Sequence, residues 1–479
     1  MSQLLTTPRL ASLSTAIDGR KYPEHPHFPQ LKIASDPDLM LRLFREVFKP
    51  SDETRMKFEF CVPIRFRWRS DNSHCVLQYS LRPKQNHRRP APDFWITAFI
   101  YPGPDEAAAA WAKQLATLNA RPSRGLPPEL QPLAFVPELH MLAHIFPYDW
   151  LLPNLAEILA GPWGELKHKL LSRFGQGHWE FERKEVEPLR YLAEDSAVVR
   201  YTLEANNLGD ARRETKRFYA KAYRTRYGEQ IGRILHDLHQ NTADPGSNFT
   251  VVEPVFYCAQ RRCLVLAEAP GRSFQDLLMF NEGDDAIAGA RSIARALAAF
   301  HQIQLTPPVS HSAEQQIGFL DRAAELLRWA CPDSSAVIQA VTEKARTGLR
   351  DVQQVPIHWD LKTDHIFLDG ERVIFIDLDT ISLGDPARDA AHLAAHIACR
   401  IDAPDIDVEV ADVIARAFVD EFFNQVPASW RRQFQLQFLI ALVEGACGLF
   451  KRQEPRWADR AEAILRQAER ALAGELQFA

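Results

Sequence analysis

HWDLKTDHIFLDGERVIFIDLDTISLGDPARD, residues His358–Asp389, is the stretch from which the rest of the chain can be read. It opens with a polar loop bearing His358, Asp360, Lys362 and His365. Two short β-type runs follow, His365–Gly370 and Arg372–Asp379, joined at Asp369-Gly370, a dipeptide that favours a tight hairpin turn. The second run ends in Asp377 and Asp379, and GDPARD (Gly384–Asp389) closes the stretch. A hairpin this tight lets Asp360 and Asp377 face one cleft. Phosphoryl transfer needs two carboxylates in different jobs: one accepts the proton of the attacking hydroxyl, the other holds a divalent cation against the phosphate oxygens. Magnesium prefers hard oxygen ligands, which suits Asp377 at the end of a rigid hairpin. Lys362, two residues past Asp360, can neutralise charge developing on the phosphoryl group.

Around this string, from Gly271 onward, the chain reads as helical. Asp285–Gln302, Gln315–Ala330, Ser335–Val352, Phe434–Phe450 and Trp457–Leu472 carry apolar residues at three- and four-residue spacing. Upstream the pattern is β-type and is written twice. Arg65–Pro83 reads as two strands about a polar turn, Phe94–Tyr101 as a third, and Asp105–Leu118 as a helix. Pro188–Ala205, Lys216–Arg224 and Arg226–Gln240 repeat that order, setting Pro63 beside Pro188, Arg65 beside Arg190 and Tyr79 beside Tyr201. His144–Leu155 and Leu266–Leu278 continue the parallel. Two copies of one three-strand-plus-helix unit are expected. Before them, Leu39–Phe48 is spaced for a helix.

The bulk numbers fit this picture. A chain of 479 residues is too long for one core, so two or three folding units are expected. Net charge of −5, with 25% charged residues, gives no basic field and argues against nucleic acid as a partner. Seven scattered cysteines without a C-x-x-C pair read as free thiols of a reducing compartment. No signal peptide is evident in the opening residues, and apolar stretches such as Ala390–Cys399 are too short for a membrane span. A cytoplasmic protein with no membrane association is expected.

HWDLKTDH resembles the protein-kinase catalytic loop, H-R-D-L-K-x-x-N. The whole string resembles still more the aminoglycoside phosphotransferase and choline-kinase family, with its H-G-D-x-x-x-x-N, I-D and G-D-P-x-x-D motifs. GDPARD discriminates, because protein kinases carry D-F-G and A-P-E instead. Leu297–Gln302, LAAFHQ, resembles the family's helix ending in Leu-x-x-x-His. The likeness spans roughly residues 185–479. It implies an α+β, protein kinase-like two-lobe fold: a small antiparallel β lobe (181–270) and a mainly helical C-lobe (271–479). A second, degenerate N-lobe-like unit (1–180) precedes them.

Carried over position by position, the resemblance makes Asp360 the catalytic base and Asp377 the magnesium ligand, with His365 and Asp379 completing the metal set. His358 and Asp389 would brace the loop, and Lys362 would lie near the phosphate. Lys221, flanked by alternating aromatics, would contact the α- and β-phosphates and pair with Glu229. Glu268 and Ala269 would form the hinge beside the base of ATP or GTP. Two departures stand out. The family's metal-holding Asn is His365 here, and imidazole suits transition metals better than magnesium. The loop expected to cover the phosphates, Ala193–Ala197 (AEDSA), has no glycine and adds two carboxylates. In the first copy the lysine position falls on Thr97, so that unit reads as an interaction or substrate-covering module, open to a protein partner.

Weaker features read as structure. His392 and His396 have metal-binding i, i+4 spacing but suit a partly buried helix. Gln85–Pro90 reads as a solvated hairpin loop, and Asp402, Asp405 and Asp407 as an exposed acidic loop, with recognition of a cationic acceptor as the alternative. The leading expectation is an ATP- and magnesium-dependent phosphotransferase acting on a hydroxyl of a small sugar, amino sugar or amino alcohol. A pseudokinase or regulatory binding protein is the alternative, and a protein kinase comes third.

Overall fold

The computed structural model describes residues 22–48, 58–69, 71, 73–83, 93–120, 126, 131–244, 246–280, 282–305 and 307–478. The Gln85–Pro90 run and the first 21 residues lie outside them. By its contacts the chain forms two units. One comprises Met1–Glu229, Val255–Leu266 and Phe450–Trp457; the other comprises Gln230–Pro254, Ala267–Leu449 and Ala458–Ala479.

The first unit begins with helices α1 (Leu31–Ala34) and α2 (Pro37–Val47). The Asp36 carboxylate accepts the N–H groups of Asp38 and Leu39, and Pro37 sits in the first turn, which starts α2 where a helix costs least. Strands β1 (Phe58–Trp68), β2 (Cys75–Pro83) and β3 (Phe94–Ile100) follow, then helix α3 (Pro104–Ala120). Next come β4 (Leu133–Val136), β5 (Met141–Ile145), α4 (Leu155–Leu159) and α5 (Gly164–Leu171). The second series is β6 (Trp179–Leu192), β7 (Ser196–Asn207) and β8 (Arg213–Tyr223), then α6 (Tyr227–Asn241), most of which belongs to the second unit. β9 (Phe249–Val251) also belongs there, before β10 (Pro254–Cys258) and β11 (Cys263–Ala267) return to the first. Along β7, Ala197, Val199, Tyr201, Leu203 and Ala205 are buried while their neighbours are not, the period of two that one covered face demands.

Among the described residues the two sheets have the same order, β1-β2-β3-β5-β4 and β6-β7-β8-β11-β10. Matched details fix their register. The fully buried Tyr79 donates its hydroxyl to Ala34 O, and Tyr201 donates to Ile158 O, both at 2.7 Å. The N–H of Tyr101 donates to His140 O, and that of Tyr223 to Arg262 O; His140 and Arg262 both have left-handed backbone. This register departs from the expected pairing. Pro63 faces Tyr79, whereas Tyr201 faces Val186 and Pro188 faces Val199, so the prolines and the arginines after them do not match when the tyrosines do. Val76 faces Phe99 as Val198 faces Lys221, so Phe99 and not Thr97 takes the lysine position. A slip of two residues keeps every side chain on its face, so the hydrophobic pattern cannot detect it. Both sheets feed one core, in which Phe99 and Leu142 join Ile158, Leu170, Val199 and Tyr201. The boundary expected near residue 180 falls inside this unit.

In the second unit, β12 (Arg272–Ser273), β14 (Ile366–Asp369), β15 (Arg372–Phe375) and β9 form a small sheet, and β13 (Val355–Ile357) pairs with β16 (Ser382–Gly384). The helices are α7 (Phe274–Met279), α8 (Gly283–Phe300), α9 (Ala313–Ala330), α10 (Ser335–Gly348), α11 (Ala387–Ala398), α12 (Val408–Gln425), α13 (Phe434–Lys451) and α14 (Trp457–Leu472). A capping box between Ser312 and Gln315 starts α9. Ala428–Lys451 has the length and mean hydropathy of a membrane span, 1.3, but most of it is buried within the fold, as in a core helix.

Candidate active site

The string His358–Asp389 forms one laced assembly in the second unit. β13 delivers the loop that follows it, and β16 closes beside β13 because residue 384 is glycine: a Cβ there would lie 2.4 Å from Ile357 Cδ1. Asp389, on the first turn of α11 and fully buried, holds the loop from below. Its two oxygens accept the N–H of His358 (2.7 Å) and of Trp359 (2.9 Å), and His301 Nε2 lies 3.1 Å away. Burial acts to raise the Asp389 carboxyl, but the bonds from His301 and His358 outweigh it and hold it below the ordinary value. His358 Nε2 donates to Ile376 O at 2.8 Å and Thr380 donates its hydroxyl to His358 O, which ties the loop to the segment carrying Asp377.

Asp360 and Asp377 are joined through His365. The His365 ring donates from Nδ1 to Asp360 O at 2.8 Å, while Nε2 lies 3.4 Å from Asp377 Oδ2 and 3.7 Å from Asp364 Oδ1. Burial, with Lys362 nearby, lowers the His365 pKa below its ordinary value despite Asp364. The ring is therefore neutral near pH 7, and because Nδ1 carries the proton, Nε2 presents a lone pair. That lone pair faces Asp377 and Asp364 Oδ1, a buried atom without a hydrogen-bond partner among the described residues. An acceptor nitrogen facing carboxylate oxygens suits a cation between them. Among the described residues no three His, Cys, Asp or Glu groups are set to hold an ion alone. Magnesium commonly takes one or two carboxylates and completes its shell from phosphate and water, so the Asp377 carboxylate fits it, while the imidazole is the ligand better suited to a transition metal. Asp379 lies two residues on, in a 3₁₀ turn, partly exposed.

Lys362 Nζ is 3.2 Å from Asp360 Oδ2. Burial alone would raise the Asp360 carboxyl; the Lys362 ammonium beside it outweighs this and holds it well below the usual range, so the group is ionised. His392 bonds Leu361 O from Nδ1 at 2.8 Å, and His396 Nδ1 lies 2.6 Å from Asp402 Oδ2, which also accepts from Thr363. The H-x-x-x-H pair thus braces the loop that follows β13. Asp402 is not part of an exposed acidic loop: its side chain is only 10% exposed, whereas Asp405 and Asp407 are open to solvent. Sequence spacing missed this role because it depends on α11 lying under the loop.

The nucleotide-side residues fall on other elements. Lys221 is buried on β8, opposite Val198, and Glu229 stands in the first turn of α6, both in the first unit. Glu268 is exposed and Ala269 half-buried; they follow β11, in the second unit, just past the bond from Ala267 N–H to Glu253 O. The loop Ala193–Ala197 joins β6 to β7.

Residues 212–422 match the model of the family described as "Phosphotransferase enzyme family". This segment, somewhat under half of the chain, has that family's sequence pattern and takes in both Lys221 and the whole string His358–Asp389. No curated protein matches the chain. Solved structures similar to it include choline kinase LicA from Streptococcus pneumoniae, 12% identical with a TM-score of 0.40, the match covering 64% of this chain and 97% of that one. A putative aminoglycoside phosphotransferase from Ralstonia eutropha JMP134 is 14% identical with a TM-score of 0.42, over 64% and 96%. Amicoumacin kinase hAmiN, in complex with AMP-PNP, Ca2+ and Ami, is 14% identical with a TM-score of 0.41, over 66% and 96%. Likenesses at this level carry no functional weight of their own.

Proposed function

We propose that the chain is an ATP-dependent phosphotransferase that moves the γ-phosphoryl group to a hydroxyl of a small molecule. The observation that carries this reading is His365, bonded to the backbone of Asp360 on one side and facing the Asp377 carboxylate on the other. One side chain fixes the spacing between a proton acceptor and a cation ligand, the two functions phosphoryl transfer separates. Asp360, ionised and partly exposed, receives the acceptor hydroxyl as a hydrogen-bond donor and orients its oxygen. Lys362 keeps that carboxylate ionised and lends positive charge beside the transferring group. Asp377, His365 and Asp379 hold the magnesium ion, which when bound screens the negative charge of the triphosphate. Lys221, with Glu229, takes the α- and β-phosphates, and Glu268 and Ala269 border the base. A cytoplasmic location goes with this reading.

A second reading, a nucleotide-binding protein without turnover, is favoured by the loop Ala193–Ala197. The Glu194 N–H is already given to Asp149 and the Asp195 N–H to Leu192 O, so neither is available to a phosphate. Turnover decides between the two. Incubation with ATP, magnesium and a library of hydroxylated metabolites should yield ADP together with one phosphorylated acceptor. A thermal shift with ATP and magnesium but no phosphorylated product would favour the second reading, and no shift at all would sink both.

A further inference from the structure

The loop Ala193–Ala197 is the least kinase-like part of the chain in sequence, and it is also tied down from outside. Glu194 adopts left-handed backbone, with φ of 63°, and is buried. Its carboxylate points away from the loop into the first series of strands. Arg69 donates to Oε2 at 2.8 Å and Trp150 Nε1 donates to Oε1 at 3.1 Å, while Arg67 and His74 lie 3.6 Å from Oε2. Arg67 also donates to Ala193 O at 2.7 Å. A second carboxylate completes the clasp. Asp149, buried, accepts the Glu194 N–H at 2.7 Å and the Tyr191 hydroxyl at 2.8 Å through Oδ2, and the N–H groups of Leu151 and Leu152 through Oδ1. Arg67, Arg69 and His74 lie on or beside the β1–β2 hairpin, and Asp149 and Trp150 follow β5. All therefore belong to the series that carries no lysine at the Lys221 position.

We infer that the N-terminal module is the anchor of the phosphate loop: Arg69, Trp150 and Asp149 hold Glu194 and its backbone so that the loop is set before nucleotide arrives. The inference rests on the phosphotransferase reading. A glycine-rich loop bends onto phosphates because glycine allows any φ, and it loses conformational freedom on binding. Here the left-handed residue is a glutamate, and the contacts that make this conformation affordable come from the other module. The clasp also disposes of half the charge problem. The Glu194 carboxylate is matched by arginine and directed away from the loop face, so only Asp195 is left to repel a triphosphate. Glu194, Arg69 and Asp149 are positioning residues in this scheme; none of them touches the nucleotide.

The test uses the full-length protein and Glu194→Ala, with Arg69→Met as a second variant made at the partner. Two readouts are taken: the dissociation constant for a fluorescent ATP analogue with magnesium, and hydrogen exchange of the segment 191–197. Both variants should exchange faster in that segment and bind the analogue about tenfold more weakly. Arg69→Lys, which keeps one donor, should recover part of the affinity. Faster exchange with unchanged affinity, or unchanged exchange, would overturn the inference while leaving the phosphotransferase reading intact. Wild-type protein that fails to bind the analogue would remove that reading and the inference with it. Should Glu194→Ala not fold, Glu194→Gln and Arg69→Met give the same two readouts.

Discussion

Asp360 is the residue on which the proposed reaction turns. Asp360→Asn keeps the shape and the Lys362 contact distance but cannot accept a proton. Turnover should fall by about 10²- to 10⁴-fold while ATP affinity stays within about twofold; turnover that survives would remove Asp360 from its role. Glu194 carries a different prediction, one of stability. Burial acts to raise its carboxyl, but His74, 3.6 Å away, and the bond from Arg69 outweigh this and bring it from 4.5 down to about 2. A depressed pKa stabilises the fold above the unfolded value, and the gain is lost as pH falls through the folded one. Charged or titratable groups around it include Arg67, Arg69, His74, Asp149, Asp195 and Tyr191. The unfolding free energy of wild type should exceed that of Glu194→Gln by about 3 kcal/mol near pH 7, and the gap should close between about pH 4 and pH 2. A gap independent of pH would show that the charge is not what the clasp holds. The two residues differ in how far sequence could reach them. Asp360 is announced by its neighbours in H-x-D, whereas the partners of Glu194 lie 125 residues upstream at Arg69 and 44 at Trp150, where no local pattern points to them.

At the scale of elements, the β14–β15 hairpin was readable because its determinants are local: two short apolar runs and an Asp-Gly turn. Asp377 and Asp379 fall just beyond β15, Asp377 in left-handed backbone with φ of 58°, because the strand ends at Phe375 and the chain turns at once into the 3₁₀ segment. The order of the two five-stranded sheets was half legible. Their patterns repeat, but the pairing of prolines failed because strand period is blind to a two-residue slip. Gly271 offers a sharp test of what positions the hairpin. It has φ of 84°, and a Cβ there would lie 2.0 Å from Leu368 O, the backbone of β14. Gly370, at the hairpin turn, has φ of 62° with open space around it. Gly370→Ala should therefore cost only the backbone strain, about 1 kcal/mol, while Gly271→Ala must also push β12 and β14 apart and should cost several-fold more. Urea unfolding of the two variants measures this directly, and equal costs would mean the turn before α7 does not press on the hairpin.

For the whole molecule, composition and length lead one to expect more than one folding unit without saying where one ends. The expected cut near residue 180 followed the repeat, since each copy reads as a self-sufficient module. Packing runs across that cut, because the second series closes on side chains from before residue 175. Leu152, Leu155, Ile158, Leu166 and Leu170 are buried in the same core as Val199, Tyr201 and Leu203. Removing five such side chains forfeits about 2 kcal/mol each, roughly 10 kcal/mol together, as much as the whole stability of a typical domain. Tyr201 would also lose Ile158 O, the acceptor of its buried hydroxyl. A fragment spanning 175–479 keeps all of the family-matched segment and every proposed catalytic residue, yet it should be recovered insoluble, or should unfold without a cooperative transition. Full-length protein should unfold cooperatively. A soluble 175–479 fragment that unfolds cooperatively and binds ATP as tightly as the full chain would show that the N-terminal module neither completes this core nor sets the phosphate loop.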